Sequence, residues 1–393
     1  MTGGIGRVTT VLTEYFRRNF GWKVYSIFAF DASAECKLTE TDGAIRLRLH
    51  DRMGIRRSLK ANYPKAAKFI GDNHIDIVII QTSMDVVARL RKALDDAGLQ
   101  RVKVISVLHY TPGTDEFPID AQMFWKELCH GKVSVKDLAK SLIAPLYNRW
   151  EHQATVQAYR KAYQKGDGVV VLSESYIPMY QQFAGLSETS HLTAIPNSVP
   201  FDDTVTEEDI EQKHKTCLMV GRMVDYPKRV SLVLRMWQHI EAQPEAKGWD
   251  LQIVGDGPDL ASFRQQAQDL GLQRCTFPGR QNPIDYYRQA SMFFMTSSFE
   301  GFPMTLVEAQ QMGCVPVAFD SFASLHEVVS HGHNGVIVAE GKVEEYQQAV
   351  LQLMQDGSRL KQMALDAAQS SKAFNQDSVC SIWKEYLVNI KNK

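Results

Sequence analysis

Residues 292–308 read MFFMTSSFEGFPMTLVE, and this stretch decides the fold of the second half of the chain. Its apolar run predicts a buried strand over Met292–Thr296, and Pro303 suits the first position of a following helix. Glu300 then lies in the loop at the carboxyl end of a strand, which is where open parallel sheets bind ligands. Glu308 falls just over one turn into the helix.

The two carboxylates of this segment are suited to bind hydroxyl groups. A carboxylate accepts hydrogen bonds from two neighbouring hydroxyls, as sugars and riboses present them, and the free N–H groups of a helix start bind phosphate oxygens. The same spacing is equally compatible with Glu300 capping the helix and Glu308 facing solvent. Both interpretations stay open on this segment alone.

The rest of the chain predicts two α/β domains, because short β-branched runs alternate with helical patterns on both sides of a linker. The linker begins near Ile195 with prolines and an acidic run. We predict Rossmann-like domains over residues 1–197 and 198–374, facing each other across a cleft. A basic, largely helical insertion at about 120–165 interrupts the first, and a C-terminal helix over 375–393 packs back toward it. The predicted strands are Trp22–Phe30, Ile75–Gln81, Val102–Leu108 and Gly168–Ser173, then Cys217–Val220, Leu251–Val254, Cys275–Phe277, Met292–Thr296 and Val315–Phe319.

Composition excludes several classes of protein. The 393 residues carry a net charge of −1 and are 44% hydrophobic, which is typical of a globular chain and not of a polyanion-binding or disordered one. The six cysteines form no C-x-x-C pair, which argues against a zinc site and a disulfide framework. Neither a membrane-spanning run nor a secretory pattern is present, so we expect a cytoplasmic protein.

Two further glycine turns follow predicted strands of the second domain. Gly221–Arg229 offers the cations Arg222 and Lys228, six residues apart, to one diphosphate group. As isolated residues they would be unremarkable surface charges, and this loop alone favours that interpretation. Gly255–Gly257 is a weak signal by itself, since a tight turn for packing explains it as well.

Together with the opening Gly3–Arg7 run, these motifs resemble group 1 (family 4) retaining glycosyltransferases. The resemblance implies a GT-B fold, in which the second domain binds most of the donor nucleotide. No strand precedes the glycine loop of Gly3–Gly6, so we expect either a first sheet without its first strand or a true start upstream. The residues that match the family's catalytic positions are Glu300, Arg222, Lys228 and His109, and those that match its donor-binding positions are Gly4, Gly255, Gly279, Arg280, Phe302, Met304, Thr305 and Glu308.

The resemblance also implies a function. It predicts a retaining hexosyltransferase that needs no metal or other cofactor, takes a nucleotide-diphosphate sugar, with a UDP-sugar favoured, and builds cell-surface polysaccharide or glycolipid. The acceptor is a glycan or a lipid-linked saccharide, and no nucleic acid is bound. Basic residues beside Trp125 and Trp150 suit contact with an anionic membrane at the inner face of the cytoplasmic membrane, although solvated helix faces explain them equally well.

Three other functions stay open. The chain could be a catalytically silent GT-B scaffold, or it could be a nucleotide-sugar epimerase or a phosphorylase on the same fold. A dinucleotide-dependent oxidoreductase is disfavoured, because no full G-x-G-x-x-G followed by a ribose-binding acid occurs.

Overall fold

A computed structural model describes residues 4–28, 41–47, 62–81, 83–114, 135–199, 201 and 205–393. The chain divides into two compact units, each described by itself below. The 196–383 unit comprises Met1–Tyr15 with Pro196–Trp383, and the 16–195 unit comprises Phe16–Ile195 with Lys384–Lys393. Trp125 and the first part of the predicted insertion lie outside the described residues.

The elements that precede the division are helices and short parallel strands. Within the described residues they are α1 (Gly4–Phe20), β1 (Tyr25–Phe28), β2 (Gly43–Arg46), α2 (Asn62–Asp72), β3 (Ile77–Ile80), α3 (Asp85–Asp96), β4 (Lys103–Leu108), α4 (Val135–Lys165), β5 (Gly168–Val171), α5 (Tyr176–Ala184) and β6 (Leu192–Ala194).

The 16–195 unit is built on a parallel sheet of order β3-β4-β5-β6 and a parallel pair, β1-β2. Strands β4 and β5 are buried almost throughout, as expected for central parallel strands covered by helices on both faces. The four strands predicted here are confirmed. Strands β2 and β6 were not predicted, since runs of four and three residues carry little periodic signal.

The glycine run at the start of the chain differs from its prediction. We expected a loop over Gly3–Gly6, but in the described residues Gly4 is the first residue of α1. Within those residues no strand precedes α1. There, β1 pairs with β2 and β3 pairs with β4, and no ladder joins β1 to β3.

The elements after the division alternate regularly. They are α6 (Glu207–Glu211), β7 (His214–Val220), α7 (Asp225–Lys228), α8 (Val230–Glu241), β8 (Asp250–Val254), α9 (Leu260–Asp269), β9 (Cys275–Gly279), α10 (Pro283–Gln289), β10 (Ala290–Met295), α11 (Met304–Gln311), β11 (Val315–Asp320), α12 (Leu325–Val328), β12 (Val336–Ala339), α13 (Val343–Gln355), α14 (Gly357–Ser371) and α15 (Gln376–Asn392).

The 196–383 unit has one six-stranded parallel sheet of order β12-β11-β10-β7-β8-β9. Every residue of β10 is buried, because strands pair on both of its edges and helices cover both faces. The five predicted strands are confirmed, and β12 was missed. Helix α11 begins at Met304, one residue later than predicted, and Gly313 takes a left-handed conformation just beyond its end.

Helix α15 has one buried face. Val379, Trp383, Leu387 and Ile390 are buried, whereas Ile382 is 43% exposed. Ile382 lies off this face, because the buried residues recur every three to four positions and Ile382 is rotated away from them. In the 16–195 unit, the ammonium group of Lys391 lies 2.7 Å from a carboxylate oxygen of Asp76.

Candidate active site

Three glycine turns meet at the carboxyl edge of the six-stranded sheet. The N–H of Gly221, after β7, donates to the carbonyl of Val254 at 3.0 Å. The N–H of Gly255, after β8, donates to the carbonyl of Gly279 at 3.0 Å. Because β7, β8 and β9 are neighbours, these hydrogen bonds join the turns into one continuous edge.

Gly255 is required here by its backbone. Its φ is +151°, and a Cβ at this position would lie 1.8 Å from the carbonyl oxygen of Gly221. Gly257 is similarly close to its neighbour, since a Cβ would lie 2.4 Å from the oxygen of Met223. The packing explanation of this turn therefore accounts for both glycines, and any role in donor binding comes in addition to it.

Lys228 and Glu300 form an ion pair at this edge. The Lys228 ammonium lies 2.5 Å from Oε1 of Glu300, and each side chain is 17% exposed. Two hydrogen bonds bring their loops together: the hydroxyl of Thr296 donates to the Lys228 carbonyl at 2.9 Å, and the N–H of Ser298 donates to the Pro227 carbonyl at 2.9 Å. Glu300 is thus paired with a cation and does not cap α11, whose N-cap residue is Pro303.

Two arginines on the same edge point to solvent. Arg222 follows the turn after β7, and Arg280 follows Gly279 at the end of β9; both are exposed. No hydrogen bond or ion pair of either guanidinium is found within the described part of the chain. Arg222 is an accessible cation next to Gly221, whose Cα lies close to the Lys228 side chain, and Arg280 is an accessible cation two strands away at the end of β9.

The start of α11 places three predicted donor-binding residues. Met304 and Thr305 are its first two residues, and both are half-buried. Phe302 is 5% exposed, and its ring lies 5.5 Å from that of Phe374. The Phe302 side chain therefore belongs to the packed interior, and only its backbone is placed to meet a ligand.

Glu308 lies in a buried charged cluster. It is 0% exposed; its Oε1 accepts from Arg7 at 2.7 Å and its Oε2 from the hydroxyl of Tyr287 at 3.0 Å. Burial raises the pKa of the Glu308 carboxyl, and the neighbouring Arg7 guanidinium opposes that rise. The interpretation that Glu308 faces solvent was wrong.

His109 directly follows β4 in the 16–195 unit and is 9% exposed. Within the described residues its Nε2 has no hydrogen-bond partner. Burial lowers the pKa of His109 to about 4, so its imidazole is neutral near pH 7. A buried polar atom without a partner carries a cost, so the described residues leave the Nε2 of His109 unsatisfied.

Comparison with known proteins decides the family. Residues 2–203, more than half of the 393, match the family described as Glycosyltransferase Family 4. The chain belongs to glycosyltransferase family 4. Residues 201–370 of this family 4 chain match a second description, Glycosyl transferases group 1. This match begins just before α6 and ends within α14.

Two curated relatives are similar over part of their length. The family 4 chain is 28% identical over 234 residues to an exopolysaccharide phosphotransferase of Streptomyces coelicolor, covering 58% of this chain and 24% of that protein. It is 26% identical over 219 residues to a poly(glycerol-phosphate) alpha-glucosyltransferase of Bacillus subtilis, covering 55% of this chain and 32% of that protein. The chain thus spans between about a quarter and a third of the length of these two relatives.

A solved structure matches the whole family 4 chain. The crystal structure of Anabaena Alr3699/HepE in complex with UDP-glucose has a TM-score of 0.70 at 17% identity, covering 99% of this chain and 97% of that one. This likeness shows the fold, which is GT-B as the resemblance predicted.

Sequence reasoning missed two residues that bind Glu308. Arg7 stands in the quoted glycine motif, but no role was assigned to it because its partner is 301 positions away. Tyr287 lies in a short helix whose sequence carries no functional signal. Among the described residues no group of three or more His, Cys, Asp and Glu side chains could hold a metal ion.

Proposed function

We propose that the chain is a retaining glycosyltransferase that moves a sugar from a nucleotide-diphosphate sugar to a glycan or lipid-linked acceptor, in the synthesis of cell-surface polysaccharide or glycolipid. The observation that carries the proposal is the Lys228–Glu300 pair at the carboxyl edge of the six-stranded sheet, beside Arg222. Membership of family 4 and the name of one curated relative, a poly(glycerol-phosphate) alpha-glucosyltransferase, agree with it, whereas the Streptomyces coelicolor relative is named for exopolysaccharide but as a phosphotransferase.

The chemistry of transfer demands this arrangement of charge. Negative charge grows on the departing diphosphate and positive charge on the sugar, so the site needs cations for one and a carboxylate for the other. Arg222 and Lys228 serve the diphosphate, and Glu300 faces the sugar. With two cations in place, we propose that transfer needs no metal ion, and activity should persist in excess EDTA.

Glu308 and His109 have separate parts in the proposal. Glu308 accepts hydrogen bonds from the ribose hydroxyls, which requires its ionised form. The neutral His109, with its Nε2 unpartnered among the described residues, offers a hydrogen bond near the reacting sugar. The backbone of Gly4, Gly279, Met304 and Thr305 approaches the donor.

Donor identity is tested with a panel of UDP-, GDP- and ADP-sugars, by thermal shift and by release of the nucleoside diphosphate. We favour a UDP-sugar, because the Anabaena protein of the same fold is recorded in complex with UDP-glucose. We expect one class of donor to raise the melting temperature and to be hydrolysed slowly. Failure of every nucleotide sugar to bind would support the catalytically silent scaffold.

The stereochemistry is tested by NMR of the product. We propose that the acceptor hydroxyl enters on the face that the diphosphate leaves, and that a donor phosphate oxygen takes its proton. The anomeric configuration is then retained. An inverted product rules this mechanism out, and conversion of the nucleotide sugar to an intact epimer without any acceptor would favour an epimerase.

We also propose a peripheral membrane contact through α4, on the cytoplasmic side. Leu146 is 76% and Trp150 is 48% exposed, one helical turn apart, and the ring of Tyr147 lies 5.9 Å from that of Trp150. Arg149 beside them is exposed, which suits an anionic surface. No helix among the described residues is long and apolar enough to cross a membrane.

Co-sedimentation with liposomes tests this contact. Vesicles that contain anionic lipid should bring down the wild-type protein, and Trp150→Ala should weaken that binding. No recovery with either kind of vesicle would leave α4 as a solvated helix face, and equal recovery with neutral vesicles would remove the proposed role of anionic lipid.

A further inference from the structure

We infer that Arg7 is a positioning residue that fixes the orientation and the charge of Glu308, and so sets how strongly the site selects a ribose over a deoxyribose. The inference rests on the proposed function, because it deepens the role of Glu308 in donor binding. Tyr287 is the second positioning residue, on the other carboxylate oxygen.

The geometry holds the carboxylate from two sides. Arg7, in the first turns of α1, donates to Oε1 at 2.7 Å, and Tyr287, on α10, donates to Oε2 at 3.0 Å. An ionised carboxylate has about four lone-pair positions, so these two bonds leave one position on each oxygen. Because Glu308 is 0% exposed, a ribose hydroxyl reaches these positions only when the surrounding side chains move. Two fixed donors on opposite oxygens define the carboxylate plane and therefore the direction of the remaining lone pairs.

The charge of Glu308 depends on the same partner. Glu308 is 0% exposed, and burial acts to raise the pKa of its carboxyl. The groups that face this cluster are Arg7, Tyr287, Cys314 at the start of β11, and Lys213, which precedes β7. Burial raises the pKa of the Tyr287 hydroxyl and of the Cys314 thiol, so both are neutral near pH 7.

Lys213 is engaged elsewhere. Its ammonium group donates to the carbonyls of Tyr287 and Ala290 at 2.9 and 2.8 Å, and lies 3.9 Å from the sulfur of Cys314. Arg7 is therefore the cation that contacts Glu308 directly within the described residues. Without it the carboxyl would hold its proton to a higher pH, and a protonated carboxyl offers fewer acceptor positions to ribose.

A purely structural ion pair is the competing explanation. Such a pair would join α1 to α11, and its removal would lower stability without changing which ligand the site prefers. Selection between ligands and the pH dependence of binding therefore separate the two explanations.

The experiment measures the affinity of the full chain for UDP and for 2′,3′-dideoxy-UDP by calorimetry, from about pH 5 to about pH 9. The variants are Arg7→Met, Arg7→Lys, Tyr287→Phe and Glu308→Gln. Arg18→Met is the matched control, because Arg18 is an exposed arginine of the same helix.

We expect Arg7→Met to lose about tenfold or more of the preference for UDP over the dideoxy analogue near neutral pH. The pH below which that preference fades should rise by about one to three units, the usual effect of removing an opposite charge. Arg7→Lys keeps the charge and should restore most of the preference, and Arg18→Met should behave as wild type.

An Arg7→Met variant with wild-type preference and wild-type pH dependence overturns the inference. If that variant does not fold, Tyr287→Phe decides, since loss of its hydrogen bond should lower the preference and shift the pH dependence in the same direction. A Glu308→Gln variant that still prefers UDP, or a wild-type protein that does not distinguish the two ligands, overturns the proposed ribose site itself. If Glu308→Gln loses the preference for UDP and Arg7→Met keeps it, the proposed ribose site stands and only the role of Arg7 is overturned.

Discussion

The ammonium group of Lys228 lies 2.5 Å from Oε1 of Glu300, and each of these side chains is 17% exposed. A pair this enclosed is sensitive to the loss of either member, because the survivor is left as a poorly solvated charge. The same two residues carry the proposed charge stabilisation at the donor, so stability and turnover must be measured together.

Lys228→Ala should lower turnover at saturating donor by roughly 10²–10³-fold, as for loss of one preorganised electrostatic group. Steady-state kinetics measures this effect, and circular dichroism checks that the variant is folded. Lys247→Ala is the control, because Lys247 is an exposed lysine in the turn before β8. Near wild-type turnover in Lys228→Ala would remove Lys228 from the proposed site.

Glu300→Gln and Glu308→Ala should separate turnover from donor binding. Glu300→Gln should reduce kcat more than donor affinity, because the negative charge of Glu300 stabilises the positive charge that develops on the sugar during transfer. Glu308→Ala should weaken donor binding about tenfold or more while changing kcat less. Calorimetry and kinetics measure the two quantities, with Glu344→Gln on the exposed face of α13 as control. The reverse pattern would exchange the proposed roles.

Stability should depend on pH through His109. Its folded pKa of about 4 lies below the value of about 6.5 for an ordinary histidine, so the unfolded chain binds more protons between these values and stability falls as pH falls through them. Between about pH 7.5 and about pH 5 this group should cost about 2 kcal/mol of unfolding free energy. Denaturant titrations of wild type and His109→Gln should show this loss in the wild type only; parallel losses would mean that His109 titrates normally.

Gly255→Ala should destabilise the 196–383 unit by about 2 kcal/mol or more, because the new Cβ would meet the Gly221 carbonyl and the left-handed backbone is unfavourable for alanine. Gly357→Ala is the matched control: no atom lies within 4 Å of the Cβ it would add, and we expect a change within about 0.5 kcal/mol. The two variants are compared with the wild type by their denaturation midpoints. A stable Gly255→Ala would show that the turn can open.

The sequence predicted the parallel architecture because buried parallel strands are continuous apolar runs, as over Met292–Met295. It missed β12 although VIVA is such a run, and it missed β2 and β6, which are four and three residues long and lack one. Those strands depend on a neighbour in the sheet for their conformation, and a linear pattern does not contain that neighbour.

The candidate site was predicted in part for a similar reason. Glycine turns and charged residues next to strands are visible locally, which is how Arg222, Lys228 and Glu300 were found. The burial of Glu308 and its contacts to Arg7 and Tyr287 depend on three separate helices meeting. Spacing within one helix could not distinguish that arrangement from a solvent-facing carboxylate.

Each of the two units combines one long stretch of the chain with a short segment from one of its ends, so neither unit is encoded by one continuous stretch of the gene. The 196–383 unit includes residues from the amino end of the chain, among them Arg7 and Tyr15, whose hydroxyl donates to Asp377 at 2.5 Å. A fragment encoding only Pro196–Trp383 would leave Glu308 without its guanidinium partner. Recombinant expression of this half therefore calls for the codons of Gly4–Tyr15 to be spliced back through a linker, and the other half needs the last ten codons in the same way.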